Sequence, residues 1–409
     1  MPANHCQQAT GGVTAAHGFR AAAIYCGIKA VETDDLAMLV CDAPTPTAAA
    51  TFTTNRVAAA PVQWTRDVIR QGAVRAVVVN SGNANACTGE RGLRDAQATA
   101  AAAAQAMGLD PTSVAVCSTG KIGRYMPIDK LLTGIPTVAA QLDDSEEAGD
   151  RFAHGIMTTD TVPKQAALRC DLGDGATVTL GGATKGAGMI APNMATTLTF
   201  VTTDATIARP LLLDILRRAV AVTYNRITID QHTSTNDTLL CLASGLADAP
   251  SIEPDTEAAR RFEAALAELT GILARKIVLD GEGATRLVRI DVEGAPTEAD
   301  ALAVARAIAD SPLAKCAFHS GDPNWGRFVS AAGYACAAMD EAKARLYLGD
   351  KLAYEAGAPA DTPTADLAAA MGGKEVVVRL DLGLGTAAAT VWTCDLSKAY
   401  IDINAEYHV

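Results

Sequence analysis

Short strand-like runs that alternate with helical segments constrain the fold of this chain more than any other feature of its sequence. The strand-like runs are rich in β-branched residues, end at turn residues, and lie at 74–80, 113–119, 177–180 and 197–203. Apolar residues at three- and four-residue spacing predict helices at 95–107, 210–223 and 257–273. The sequence therefore predicts a mixed α/β protein.

The last third of the chain has the same alternation and is predicted to form a separate α/β lobe from about 285 to 409. It reads as a strand at 286–293, a helix at 298–309, and strands near 344–348, 375–382, 387–394 and 399–403. An acidic run at 141–150 is interpreted as a solvated loop or the start of a helix.

Composition excludes several classes of protein. The chain is 49% hydrophobic and 20% charged, which suffices for a large core. Its formal net charge of −12 disfavours nucleic-acid binding, because such a surface repels phosphate backbones. No apolar run approaches the roughly 20 residues that span a bilayer. The N-terminus lacks the pattern of a secretory signal, so we expect no membrane association and a cytoplasmic location.

The cysteines and histidines carry no recognisable metal or disulfide pattern. Ten cysteines are scattered between Cys6 and Cys394 without a CxxC pair, which predicts reduced, buried thiols. The six histidines show neither HxH nor HExxH spacing, so no metal site is predicted.

The segment GGATKGAGMIAPNMATTLTF, residues 181–200, admits three interpretations. Gly186–Ala191 matches the GxGxxA pattern of a nucleotide-binding loop, but Pro192 and a Thr-rich strand follow where that motif requires a helix. A glycine turn between two strands is the simplest structural explanation. It leaves Lys185 and the threonines unexplained.

The third interpretation makes Thr196 a nucleophile that first attacks the carbonyl of Ala195 and cleaves its own chain. The new α-amino group, with a reference pKa of about 7.7–8.0, would be a base tethered beside the hydroxyl it deprotonates. β-Branching would hold that hydroxyl in few orientations. Nucleophile and base would then share one residue.

Nine segments in chain order resemble one known family. They are FTTNRVAAAPV (52–62), NSGNANACTG (80–89), STGKIG (118–123), MTTDTVPK (157–164), KGAGMIAPNMATTL (185–198), TSTNDT (233–238), DGEGATR (280–286), GDPNWGR (321–327) and INAEY (403–407). Together they resemble the ornithine acetyltransferase family, also called the arginine-biosynthesis bifunctional or glutamate N-acetyltransferase family. The resemblance covers nearly the whole chain.

The resemblance implies a two-lobed, layered αββα sandwich and self-cleavage between Ala195 and Thr196. The α fragment would be residues 1–195 and the β fragment residues 196–409, assembled as a heterotetramer of two of each. The implied reaction is ping-pong transfer of acetyl from N2-acetylornithine to glutamate through an acetyl-threonine. It requires no cofactor, and acetyl-CoA is a candidate second donor.

The resemblance also assigns site residues. Thr196 is the implied nucleophile, and Thr119 with Gly120 forms the implied oxyanion hole, which suits a tetrahedral intermediate. The implied substrate contacts are Thr159, Lys185, Thr196, Glu282, Asn404 and Val409. Lys185 would pair with a carboxylate and Glu282 with an ammonium group. Taken singly, each of these residues also fits an ordinary loop, cap or turn.

Three positions depart from the family pattern: Lys121, Gln231–His232 and the terminus His408–Val409. The alternatives are therefore a self-cleaving aminopeptidase or amidohydrolase, in which water takes the acyl group, and an acyltransferase of specialised metabolism with the same nucleophile. A third is a binding protein that retains the fold without turnover. The loop Asn80–Gly89 is predicted to lie near the site, without a catalytic role.

Overall fold

The computed structural model describes residues 5–72, 74–191 and 197–406, which form three β-sheets and the helices that cover them. The strands are β1 (Cys6–Ala9), β2 (Phe19–Ile24), β3 (Leu36–Cys41), β4 (Thr47–Phe52), β5 (Ala76–Asn83), β6 (Val114–Lys121), β7 (Lys164–Gly173), β8 (Ala176–Lys185), β9 (Leu198–Thr203), β10 (Thr238–Ala243), β11 (Leu287–Ala295), β12 (Arg345–Leu348), β13 (Lys351–Glu355), β14 (Ala358–Pro359), β15 (Glu375–Asp381) and β16 (Ala387–Cys394). The α-helices are α1 (Ala60–Gln71), α2 (Gly89–Met107), α3 (Ile128–Ala139), α4 (Glu146–Gly155), α5 (Arg209–Val222), α6 (Glu257–Leu279), α7 (Glu298–Asp310), α8 (Pro312–Ser320), α9 (Trp325–Gly333), α10 (Thr364–Ala370) and α11 (Lys398–Glu406).

Side-chain caps fix where several helices begin. Ser145 accepts a hydrogen bond from the amide of Ala148 at the start of α4, within the acidic run that the sequence analysis interpreted as a loop or helix start. Thr256 and Thr297 cap α6 and α7 in the same way. Because each cap satisfies an otherwise unpaired amide, the chain changes from extended to helical at these residues.

The first two sheets stack face to face. The first has the strand order β1-β7-β8-β9-β10-β4, and the second has β2-β3-β5-β6. Their shared core contains Phe200 and Leu240 from the first sheet and Leu39 and Val79 from the second. Phe152 of α4 closes this core and meets the Phe200 ring edge-on, with 5.3 Å between centroids.

Helices cover the outer face of both stacked sheets. Leu266 and Leu273 of α6 pack with Leu239, whose neighbour Leu240 points into the inter-sheet core, as strand alternation requires. On the other side, Ala103 of α2 and Ile135 of α3 lie against the second sheet. This part of the molecule is thus four layers, helices, sheet, sheet and helices.

The third sheet has its own core. Its order is β14-β13-β12-β15-β11-β16, and α7, α8 and α9 pack on one face. Phe318 and Phe328 stack there at 4.9 Å between centroids. The mixed α/β prediction is confirmed. None of the helices in the described ranges is long and apolar enough to cross a bilayer.

Two expectations were wrong. Residues 399–403 belong to helix α11 and not to a strand, and none of the residues of α11 is buried. The alternating apolar residues at 399–403 therefore do not mark a strand with one buried face.

The cysteines are also not all reduced and buried: Cys6 and Cys170 form a disulfide, because β1 pairs with β7 in the register that places them directly opposite each other. Of the eight free cysteines, Cys87, Cys316 and Cys336 are exposed.

Candidate active site

A cavity of about 170 Å³ opens where strand ends of the two stacked sheets meet helix α11 and the loop that follows α6. Its polar lining comes from β6, the 158–159 turn, the end of β8, the residue before β9, the 234–237 segment, the loop after α6, and α11. The polar side chains in it are Thr119, Thr158, Thr159, Lys185, Thr197, Ser234, Thr235, Asn236, Asp237, Glu282 and Asn404.

Six residues selected from the sequence lie together in this lining. They are Thr119, Gly120, Thr159, Lys185, Glu282 and Asn404. Thr197, the residue that follows the candidate nucleophile, also lines it. Ala195, Thr196 and Val409 lie outside the described residues. Ala84, from the loop 80–89 that was expected to lie near the site, also lines the cavity.

Gly120 sits where a side chain would collide with backbone. Its φ is +131°, a value that L-residues rarely adopt, and a Cβ there would lie 2.3 Å from the carbonyl carbon of Gly82. β5 and β6 run parallel here, with Gly120 opposite Gly82 and a bulge at Asn83. The close approach of the two strands therefore requires glycine at this position.

We expect Gly120→Ala to lower turnover by about 10²-fold or more, because the displaced backbone would misplace the amide offered to an oxyanion. Gly123→Ala is the matched control: Gly123 also has positive φ, but no atom lies within 4 Å of its added Cβ. Steady-state kinetics on folded samples tests this. Equal activity in the two variants would remove Gly120 from the oxyanion role.

Lys185 reaches the site from the end of β8 and contacts two threonines. Its Nζ donates to Thr158 Oγ1 at 2.6 Å and to Thr119 Oγ1 at 3.1 Å. Burial lowers the pKa of Lys185, and the carboxylate of Asp160, 4.0 Å away, counteracts that effect. Part of the charge of Lys185 is thus balanced within the protein.

Asp160 is the centre of a buried ionic cluster that sequence analysis missed. Its carboxylate accepts from Lys164 Nζ at 2.6 Å and from the Gly186 amide at 2.7 Å, and Lys164 also pairs with Asp280. Burial would raise the pKa of Asp160, but the ammonium groups of Lys185 and Lys164 outweigh it and hold that pKa well below its usual range. Asp160 and Lys164 lie in the family-like block 157–164, which was the available signal.

Glu282 and Asn404 form a further part of the cavity lining. Asn404 Nδ2 donates to Glu282 Oε2 at 2.8 Å, and the Glu282 amide donates to Ala187 O at 2.8 Å. A Cβ on Gly188 would lie 2.4 Å from Glu282 Oε2. The glycine loop thus gives the carboxylate room to lie against its backbone.

The loop 186–191 is held by Asp230, whose carboxylate accepts from the amides of Met189 and Ile190 at 2.6 and 2.9 Å. Because β8 pairs antiparallel with β9, the segment between Lys185 and Leu198 joins neighbouring strands. This agrees with the glycine-turn interpretation. No helix begins in the described part of this connection, which leaves the nucleotide-loop interpretation without support.

A chain of buried hydroxyls lies behind the start of β9. Thr199 Oγ1 is 2.8 Å from Thr197 Oγ1, 2.7 Å from Thr184 Oγ1 and 3.0 Å from the Tyr224 hydroxyl. These contacts satisfy polar groups inside the core and fix the side chain adjacent to position 196. They account for Thr184, Thr197 and Thr199, three threonines that a simple glycine turn left unexplained.

The segment 234–237 forms a further wall that was quoted only as part of a sequence block. Asn236 Nδ2 donates to Ala84 O at 2.6 Å and to Ser118 O at 2.8 Å. Asn236 therefore ties the ends of β5 and β6 to the strand β10 that follows it. No cluster of possible metal ligands occurs among the residues that the structure describes.

Asp237 is a buried carboxyl on the cavity wall, and its Oδ2 has no hydrogen-bond partner. Burial raises the pKa of Asp237 well above its ordinary value, opposed by hydrogen bonds with Ser234 and Thr53 and by the charge of Lys185. The carboxyl is therefore held toward its protonated form.

We expect Asp237→Asn to flatten the dependence of stability on pH. Above about pH 3.9 the unfolded aspartic acid loses its proton while the folded one keeps it, so the wild-type free energy of unfolding falls by up to about 1.4 kcal/mol per pH unit from this group. Asparagine does not titrate, and the variant should be the more stable protein at pH 7. Urea unfolding between pH 5 and 8 measures it, with exposed Asp361→Asn as the control. Parallel pH profiles for wild type and Asp237→Asn would contradict the argument.

Comparison with known proteins finds a family whose model matches nearly the whole chain. The model of the ArgJ family matches residues 20–409. The chain is 48% identical over 399 residues to the arginine biosynthesis bifunctional protein ArgJ of Symbiobacterium thermophilum, with 97% of this chain and 98% of that one covered. The protein of the same name from Dehalococcoides mccartyi is 44% identical, with 97% of each chain covered. Among solved structures, the Mycobacterium tuberculosis ornithine acetyltransferase in complex with ornithine is 48% identical, with a TM-score of 0.44, and covers 46% of this chain and 100% of that chain.

Proposed function

Because the chain belongs to the ArgJ family, we propose that it transfers acetyl from N2-acetylornithine to glutamate, using Thr196 as nucleophile after cleavage of the Ala195–Thr196 bond. It is an N-acetyltransferase of arginine biosynthesis. The observation that carries the proposed mechanism is the convergence of six residues, selected from five separate segments of sequence, on one cavity beside Thr197.

In the first half-reaction the Thr196 hydroxyl attacks the acetyl carbonyl, and its proton passes to the α-amino group of the same residue. The oxygen of the tetrahedral intermediate accepts from the Gly120 amide and the Thr119 hydroxyl. Collapse breaks the bond to nitrogen, the α-ammonium returns the proton to that nitrogen, and ornithine leaves. Glutamate nitrogen then attacks the acetyl ester, and the same steps in reverse release N-acetylglutamate and the free hydroxyl.

Lys185 orients the hydroxyl that this mechanism needs. Its ammonium donates to Thr119 Oγ1 at 3.1 Å, so a lone pair of that oxygen is occupied and the Thr119 proton is available to an oxyanion. The same positive charge lies in the cavity where a substrate carboxylate would bind.

Substrate amino groups would bind at Glu282. Glu282 supplies a carboxylate there, and Asn404 holds one of its oxygens at 2.8 Å. Thr159 adds a hydroxyl to the lining. Val409 has no polar side chain, so a substrate contact there would be made by backbone atoms. The positive charge of Lys185 and the negative charge of Glu282 in one cavity suit substrates that carry both a carboxylate and an ammonium group.

The remaining parts of the proposal concern processing and assembly. Fragments 1–195 and 196–409 stay associated and pair into a heterotetramer of two α and two β fragments in the cytoplasm. Two lobes are proposed, the layered sandwich and the region from about 285 to 409, on the ground that the third sheet has its own core. No cofactor is required, and acetyl-CoA is a candidate second donor.

Product analysis with and without glutamate tests the proposal. Purified protein incubated with N2-acetylornithine and glutamate should yield N-acetylglutamate and ornithine in equal amounts. Without glutamate, ornithine release should stop after about one equivalent of sites, as a ping-pong acyl enzyme requires. Continued release of ornithine and free acetate, independent of glutamate, would instead identify an amidohydrolase.

A further inference from the structure

A second pocket, of about 550 Å³, lies beside β4, the edge strand of the first sheet. Its floor is the end of β4 and the residues that follow. Its sides are Arg66 from α1 and Arg217 from α5, and Arg56 stands on the loop between β4 and α1. We call it the arginine pocket. It has no residue in common with the cavity described above.

The charge of the arginine pocket is opposite to that of the chain. The protein has a net charge of −12, yet three arginines and no acidic residue are among the described residues that line this pocket. Arg217 forms a long ion pair, at 3.9 Å, with Asp214, which does not line the pocket. The field inside the pocket is therefore positive on a protein that is otherwise acidic.

Arg66 is the least solvated of the three guanidinium groups. It is half-buried, lies 5.4 Å from the Phe52 ring centroid, and donates one hydrogen bond to Thr53 O at 2.6 Å. Burial lowers the pKa of Arg66, and the charge of Arg70 lowers it further. A half-buried cation with a second cation nearby is favourable only when an anion offsets the loss of hydration.

Threonines add polar groups to the lining beside the guanidinium groups. Thr53 and Thr54 follow β4 and lie in the lining together with Arg56. A lining of arginine and threonine suits an acceptor-rich anion.

From these observations we propose that the arginine pocket binds a phosphate-bearing anion. Guanidinium groups bind phosphate oxygens in pairs, and a phosphate has enough acceptors for Arg56, Arg66 and Arg217 together. The volume of the pocket also admits a diphosphate or a small organic phosphate. Free inorganic phosphates and organic phosphates share this chemistry.

The arginine pocket is coupled to the active-site cavity through a short run of hydrogen bonds. Thr53 Oγ1 donates to Ser234 O at 2.7 Å, and Asn55 Nδ2 donates to Thr233 O at 3.0 Å. The Thr53 amide also donates to Asp237 O at 2.9 Å. Ser234 and Asp237 line the cavity, so an anion that orders residues 51–56 would act on that wall.

Titration calorimetry with inorganic pyrophosphate, at constant ionic strength, tests the proposal. Wild-type protein should show saturable binding with one site per chain. Exposed Arg56→Gln should weaken it at least tenfold, as should Arg66→Gln. Arg260→Gln, an exposed arginine paired with Glu257 on α6, is the matched control and should bind as wild type does.

Arg56→Gln keeps the test decisive if Arg66→Gln folds poorly, because Arg56 is exposed and supports no packing. A second titration with ADP separates the two sources: tighter binding of ADP than of pyrophosphate indicates an organic phosphate, and the reverse indicates an inorganic one. Absence of saturable binding by both, or equal affinity in Arg56→Gln and the Arg260→Gln control, would overturn the proposal.

Discussion

Thr196→Ala should leave the chain as a single piece of 42.1 kDa and abolish acetyl transfer. The substitution removes the hydroxyl that both cleaves the chain and carries the acetyl group, so no step of the proposed cycle remains. Loss of activity should exceed that of any other single substitution considered above. Denaturing gel electrophoresis and the glutamate acetylation assay measure the two effects on one sample.

Thr364→Ala is the control for this experiment, since Thr364 is an exposed threonine at the start of α10. It should be cleaved and fully active. Fragments ending at Ala195 in the Thr196→Ala protein would show that another group cuts the chain and would remove Thr196 from the processing step.

Asp160→Ala should destabilise the protein by about 3–5 kcal/mol, because it leaves the buried ammonium groups of Lys164 and Lys185 without their shared carboxylate. The Gly186 amide also loses its acceptor. We therefore expect a lower midpoint in urea and, in folded samples, a higher KM for both substrates, since Lys185 would no longer be held. Exposed Asp361→Ala is the control.

The same cluster gives a pH dependence with a definite sign. The pKa of Asp160 is depressed in the folded protein, so its contribution to stability is complete above the ordinary value of about 3.9 and is lost as pH falls toward the folded pKa. Wild type should lose this contribution on acidification, whereas Asp160→Ala has none to lose. A stability difference between the two that stays constant down to pH 2.5 would contradict the assigned ion pairs.

Periodicity predicted most of the fold because the elements concerned have one buried face. Helix α6 and strand β11 follow their apolar spacing closely, since that spacing is what the sheets and helices pack on. Helix α11 was predicted as a strand because its apolar residues alternate, but none of its residues is buried, so the alternation does not reflect packing against a core. The Cys6–Cys170 disulfide was missed because pairing across 164 residues depends on strand register, which spacing does not encode.

The site was predictable only in part, and for a related reason. Six described residues were assigned by resemblance of their sequence blocks, and they line one cavity. The pairing of Lys164 with Asp280 was missed because it joins residues 116 apart in the sequence. Asp160 lies only four residues from Lys164, but the sequence does not show that both are buried. The arginine pocket was not predicted because the net charge of the chain does not show which arginines lie close together in the folded protein.

A denatured mass spectrum of the protein, quenched while it turns over N2-acetylornithine without glutamate, tests the central claim most directly. We expect two fragments, residues 1–195 and 196–409, with one acetyl group on the second and none on the first. Addition of glutamate before the quench should remove that acetyl group. A single uncut chain, or a 196–409 fragment that never carries acetyl, would contradict the account of Thr196 as the acyl-carrying nucleophile.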